Sequence, residues 1–524
     1  MRIVSCIILF LSLGIFKAKA QGGNELIPLK ETYYSKHKFL HPEFCMLQFY
    51  SRDALDAFYK KWKNTNSDKL SILHFGDSHC QHEAFPGQVR KRLQELHGAG
   101  GRGLMFPYSA ANTYTSVEYF TTHTGAWSYE KGFTMLPRLP LGVRGMTCRT
   151  VQAPVTLGFS FTSDVPNHYT ILKLFCKQTL NSYDLSIEID GKYTPVIIDD
   201  KNPDPYITVK IPAIGNRKMT LHVVKNNPDE TEFEFYGMSL ESEQEKGILY
   251  HNCGVGAARF GSLLFYELLW KQIPYVQPDL IVLDYGTNDY LYDDIIRPEL
   301  EKEIKTIISK MRAAAPDACI ILTSSQDLYF KNRNCRSGIP FSDMIHRIAG
   351  ETKCAVFDWF YIAGGQGTMH DWVKQGLAQP DYIHLSVPGY QLKGDLLFES
   401  VRNTMSWFDK YNEREEFFFN VDSLKKIPPP PPVVISKPQN NTVKQNPSNA
   451  ATKVAVKTPA KTVSVPNAST AGRVKYVHKI TTGESLYSIA KKYNVTVSQL
   501  KSWNNLHSDL INAGKTLNVW VIRR

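Results

Sequence analysis

Short apolar runs that stop at glycine or at a polar cluster dominate the pattern of this chain. Leu70-Ser71-Ile72-Leu73-His74-Phe75 ends at Gly76, and Asp279-Leu280-Ile281-Val282-Leu283-Asp284-Tyr285 ends at Gly286. Runs of this kind predict strands buried on both faces of a parallel sheet. Positions 319–323 and 354–358 have the same character, and helical spacing is expected over 86–96, 260–271, 298–314 and 340–350. Such alternation predicts an α/β fold whose parallel sheet is covered by helices on both sides.

The pattern changes between 109 and 247. Tyr183-Asp184-Leu185-Ser186-Ile187-Glu188-Ile189 alternates polar and apolar residues, Asp190-Gly191 turns, and similar runs follow at 206–211, 219–224 and 233–236. That spacing predicts an inserted antiparallel β-sandwich dividing the α/β domain into 21–108 and 248–424. Residues 425–473, with five consecutive prolines from Pro428 to Pro432, read as a mobile linker. A small strand–helix–helix–strand (βααβ) unit is expected over 474–521.

At the other end, Arg2 precedes an apolar stretch that closes on Ala18-Lys19-Ala20, the layout of a secretory signal cleaved before Gln21. No later segment reaches the roughly 18–20 unbroken apolar residues of a membrane span. The expected product is exported, to a periplasm, a cell wall or the medium. Net charge is +11, but the residues from 425 onward hold 16 Lys/Arg against 2 Asp/Glu, and 21–424 is acidic at −6. Basicity confined to the tail of an exported protein favours an anionic envelope polymer over nucleic acid. Eight cysteines remain after the signal; Cys80 and Cys253 fall beside the loops discussed next, so a bridge between them is one option, though connectivity is not readable. His74, His79, Cys80 and His82 are not completed by a second ligand cluster, so neither metal nor cofactor is expected.

Candidate chemistry sits where the apolar runs end. Gly76-Asp77-Ser78-His79 offers a serine in a strand-to-helix connection, and Gly286-Thr287-Asn288-Asp289 offers a side-chain amide. Asp381-Tyr382-Ile383-His384 holds a carboxylate and an imidazole three residues apart. A nucleophile, a base with its orienting acid, and hydrogen-bond donors for an oxyanion are what acyl transfer through an ester intermediate requires. Ser78 N–H is one donor. A further backbone donor is expected from the glycine turn His251-Asn252-Cys253-Gly254-Val255-Gly256-Ala257-Ala258, at Gly256 or Ala257. The G-x-S-x-G elbow of α/β-hydrolases is absent around Ser78.

These blocks, in this order, resemble the SGNH (GDSL-type) hydrolases. The resemblance implies a three-layer α/β/α fold, with Ser78, His384 and Asp381 as the triad and Asn288 in the oxyanion hole. Family members often read Gly-Val-Asn-Gly-Ala at the glycine turn, which puts Ala257 where their donor glycine lies and Gly256 in place of their asparagine. The β-rich insertion is similar to the carbohydrate-binding-like one of SGNH peptidoglycan O-acetylesterases. The tail, with TTGESLYSIAKKYNVTVSQLKSWN and INAGKTLNV, resembles a LysM module. That implies glycan contacts at Gly483, Glu484, Ser485, Asn512, Ala513 and Gly514, and peptidoglycan as partner. The expected function is deacetylation of the 6-hydroxyl of N-acetylmuramic acid. The alternatives are an esterase on another acetylated polysaccharide such as xylan, a wall-binding scaffold with a degenerate pocket, and acetyl transfer.

Overall fold

The computed structural model describes residues 36–411 and 413–426 and, in the C-terminal segment, 473–480, 486–493, 495, 497–504, 506 and 514–522. The expected signal, nearly all of the linker, and Gly483, Glu484, Ser485, Asn512 and Ala513 lie outside the described residues. Two units are distinct, divided near Ser436.

In the first unit the apolar runs become β1 (Lys69–Gly76), β2 (Ala99–Met105), β3 (Phe233–Glu241), β4 (Gly247–Gly254), β5 (Leu280–Asp284), β6 (Cys319–Thr323) and β7 (Ala355–Phe357). The sheet order is β7-β6-β5-β1-β4-β2-β3, parallel from β7 through β2 and antiparallel at β3. Alternate side chains sort onto the two faces, as the period of two demands. Leu70, Ile72, Leu280 and Val282 pack with α1 (Ala84–His97) and α4 (Val387–Lys410). Leu73, Phe75, Ile281 and Leu283 pack with α2 (Leu300–Ala314) and α3 (Gly338–Thr352). The result is the three-layer α/β/α arrangement.

Two departures from the sequence reading matter. The helix expected over 260–271 splits into a 3-10 turn, Phe260–Phe265, and a helix, Leu269–Val276. Tyr266 adopts extended backbone between them and is buried where a side chain on Gly132 or Gly145 would collide with its ring, so tertiary packing overrides local helix propensity. Nor does the inserted segment form a separate body. Its strands Tyr119–His123, Val155–Phe161, Asp184–Ile189, Lys192–Val196 and Lys218–Val224 make a five-stranded antiparallel sheet. Ser128–Lys131, Met146–Thr150, Ile171–Cys176 and Ile207–Lys210, however, extend the α/β sheet through β3, and with Gln48–Phe49 paired to the outer edge of β7 that sheet has twelve strands. Leu157, Leu185 and Leu221 of one layer share a buried cluster with Leu172, Leu174 and Phe235 of the other.

The second unit pairs Arg473–Lys479 antiparallel with Thr516–Ile522 and carries helices Leu486–Tyr493 and Val497–Asn504. Ile480, Leu486, Ile489, Leu500, Leu517 and Val519 form its core, with Trp503 packed at the edge.

Candidate functional site

Three parallel strands end level with one another, since Gly76 of β1 is in register with Gly254 of β4 and with Asp284 of β5. Their loops therefore leave the same carboxyl edge, where open α/β sheets place ligands. Asp77 caps the short helix Ser78–Gln81 by accepting the N–H of His79 at 2.9 Å. The glycine turn lies hard against that helix. A Cβ on Gly254 would fall 2.5 Å from Gln81 N, so only glycine permits the approach. Asn252 Nδ2 donates to Cys80 O and its Oδ1 accepts from Gly254 N, fixing the turn.

His384 comes from the loop before α4. Its Nε2 is 2.9 Å from Ser78 Oγ, and its Nδ1 is 2.7 Å from Asp381 Oδ2. Asp381 Oδ1 also accepts the N–H groups of Ile383 and His384, which holds the carboxylate in place. Burial works against charge on the His384 ring, but the hydrogen bond and charge of Asp381, helped by Asp77, outweigh it and raise the pKa above its ordinary 6.5. His79, fully buried beside it with ring centroids 5.2 Å apart, is held neutral by burial and by the charges of His384 and Lys393. A cavity of about 310 Å³ opens over the pair, walled by Tyr114, Leu385, Val387 and Tyr390.

The four expected oxyanion donors differ in availability. Ser78 N–H and Ala257 N–H have no hydrogen-bond partner among the described residues. Gly256 N–H is taken up by Gln81 Oε1 at 2.6 Å, so of the two candidates in the glycine turn it is Ala257 that keeps a free donor. Ala257 has φ +65°, a backbone conformation that suits the glycine expected there by resemblance. Asn288 projects just past Gly286, whose φ of +124° and proximity to the Phe341 ring exclude a side chain. Both hydrogens of Asn288 Nδ2 are engaged, by Asp77 Oδ2 at 3.2 Å and Ala258 O at 3.1 Å. Burial pushes the Asp77 carboxyl up to about 7, against the opposing pull of the His79 N–H.

Residues 235–392 match the GDSL-like lipase/acylhydrolase family, and residues 478–520 match the LysM domain. The chain carries a GDSL-like acylhydrolase domain and a C-terminal LysM domain. The acylhydrolase match begins beyond most of the inserted strands and omits Ser78, which the sheet brings back beside His384. In fold, the chain is similar to a solved structure described as "Peptidoglycan O-acetylesterase in action, 5 min". The TM-score is 0.57 at 19% identity, covering 69% of this chain and 99% of that one. The cell wall-binding protein YocH of Bacillus subtilis (strain 168) is 45% identical over 58 residues, 11% of this chain. The chain thus spans about a fifth of that relative's length, 19%.

All eight described cysteines are buried thiols, so Cys80 and Cys253 are not bridged. His74, Cys80 and Asp284 bring ligand atoms within 4.8 Å of one another. Asp284 is nevertheless already paired with the Lys393 ammonium at 2.8 Å, and His74 Nδ1 with the Tyr250 hydroxyl at 2.6 Å. We read the cluster as a buried ion pair. Sequence reasoning missed Lys393, Tyr390 and Gln326. For Gln326 a signal existed in the polar run Ser324-Ser325-Gln326-Asp327 just past an apolar strand. Among the described residues no helix is long and apolar enough to cross a membrane.

Proposed function

We propose that this protein is an exported serine esterase that removes O-acetyl groups from peptidoglycan, at the 6-hydroxyl of N-acetylmuramic acid. The observation that carries the reading is the continuous contact Ser78 Oγ–His384 Nε2–Asp381 at 2.9 and 2.7 Å, open to a cavity, in a chain that also has a LysM domain. The likeness in fold to the peptidoglycan O-acetylesterase supports the choice of polymer. Ser78 Oγ bonds to the acetyl carbon as its proton passes to His384 Nε2. The oxyanion rests on Ser78 N–H and Ala257 N–H, and Asn288 joins by exchanging its contact with Asp77 for the new charge. Collapse breaks the carbon–oxygen bond to the sugar, whose oxygen takes the proton from His384. Water then attacks the acetyl-serine, yielding its proton to His384; acetate leaves and the proton returns to Ser78 Oγ. The LysM domain would hold the enzyme on its polymer and raise local substrate concentration. Acetate release from O-acetylated peptidoglycan, set against acetylated xylan, tests the reading; activity on xylan alone rejects it.

Two expected results follow from the geometry. Asn288→Ala lowers kcat about 100- to 1,000-fold on a soluble aryl acetate, with KM little changed; a loss under about threefold removes Asn288 from the oxyanion site. The rate is also pH-dependent in a defined direction. His384 must be neutral to accept the proton, and its raised pKa keeps it charged to higher pH, so kcat/KM keeps climbing as pH passes above 6.5. Asp381→Asn removes the main influences raising that pKa, so the acid limb moves to lower pH while the plateau falls. A limb that stays in place in a kcat/KM profile refutes the assignment.

A further inference from the structure

The esterase reading needs two segments, 306 positions apart in the chain, held so that Ser78 and His384 stay in hydrogen-bond contact. The His384 segment is a loop on the open side of the site, with the Asp381 and His384 side chains 44% and 39% exposed. It is held against the Ser78 segment by polar groups buried between His79 and Ile383.

Gln326 lies in the loop after β6, 2% exposed. Trp359 Nε1–H donates to its Oε1 at 3.2 Å, which fixes the amide orientation. Its Nε2 must then donate, and it does so twice: to Ile383 O at 2.8 Å and to His79 Nε2 at 3.1 Å. Ile383 immediately precedes His384, and His79 immediately follows Ser78. The acceptor role of His79 Nε2 puts the ring proton on Nδ1, which faces the Tyr390 hydroxyl oxygen at 2.9 Å. Tyr390 itself walls the cavity. One primary amide thus joins the neighbours of the nucleophile and of the base, and the same chain of donors fixes the tautomer of the buried histidine between them.

We infer that Gln326 is a positioning residue, which acts through His79 and Ile383 to hold Ser78 and His384 in reacting register. The inference rests on the esterase reading. Its effect belongs in kcat, because the amide does not touch the cavity contents, and small misplacements of reacting groups cost up to about 100-fold. The His384 loop keeps a separate anchor, Tyr329 N–H to Tyr382 O at 3.2 Å, so loss of the amide leaves the loop attached but free to shift.

The test uses full-length protein, a soluble aryl acetate, and a fluorophosphonate that labels activated serines. Gln326→Leu is expected to lower kcat and the labelling rate of Ser78 together by about 10- to 100-fold, with KM within about twofold and the melting transition retained. His79→Leu gives a similar loss, and the double variant is no worse than the more severe single one, because both changes cut the same link. Gln326→Asn keeps the amide one methylene short and falls between wild type and Gln326→Leu, which keeps the test alive should the leucine variant not fold. Unchanged kcat in Gln326→Leu, activity that falls only with the folded fraction, or multiplying single-variant effects overturns the proposal. If wild type hydrolyses no acetyl ester yet Ser78 labels, the esterase reading fails while the labelling rates still decide the role of Gln326.

Discussion

On the proposed mechanism, Ser78→Ala is expected to lower kcat for acetate release by roughly 10⁴- to 10⁶-fold while the protein melts as before. The size of the loss reflects how the site divides its labour. Without Oγ there is no nucleophile for His384 Nε2 to deprotonate across its 2.9 Å contact, and no ester intermediate forms. The Ala257 donor and Asn288 remain, so a residual rate above the uncatalysed one is expected from polarisation of the carbonyl alone. Acetate release from a soluble aryl acetate measures the effect without involving the LysM domain. A variant retaining a tenth or more of wild-type activity would remove Ser78 from the mechanism and leave a wall-binding protein with an idle pocket.

The second large effect is on stability. Lys393 on α4 and Asp284 at the end of β5 form a pair whose side chains are 1% and 6% exposed, at 2.8 and 3.2 Å. The ammonium also lies 4.3 Å above the Phe85 ring. Burial alone would raise the Asp284 carboxyl, but Lys393 and the His74 hydrogen bond hold it well below the usual carboxylate range. Lys393→Met strands that charge in the interior and is expected to cost about 3–5 kcal/mol, read as a fall in the urea midpoint. Adding Asp284→Asn to the same protein restores part of the loss, because no net charge is then left without a partner. A single variant losing less than about 1 kcal/mol would mean that water reaches the pair. The location gives this pair weight beyond stability, since β5 leads into Asn288 and α4 begins just after His384.

Much of this site is legible in the sequence, for a physical reason. Ser78, Asn288 and His384 lie in short blocks directly beyond strand or loop signals, so local sequence carries both the residue type and its place at the sheet edge. The alternation at 183–189, with its Asp190-Gly191 turn, likewise announces an antiparallel hairpin. What is not legible depends on partners remote in sequence. The break at Tyr266 is set by glycines of the inserted segment, and the engagement of Gly256 N–H is set by Gln81. Lys393 reads as one more charge on a long helix until Asp284, 109 positions away, is placed beside it. Gln326 shows the same limit, because its two acceptors come from either end of the domain.

The shared sheet has a consequence for how a bulky polymer is met. Because β3 is hydrogen-bonded to β2 on one edge and to Met146–Thr150 and Ile171–Cys176 on the other, no swivel point separates the insertion from the catalytic half. The insertion contributes Tyr114 to the cavity wall, so that part of the wall is tied to the scaffold through a continuous sheet. On the proposed reading, an acetylated glycan would meet a preformed wall, and selectivity among acetylated chains would come from rigid shape rather than from closure around the guest.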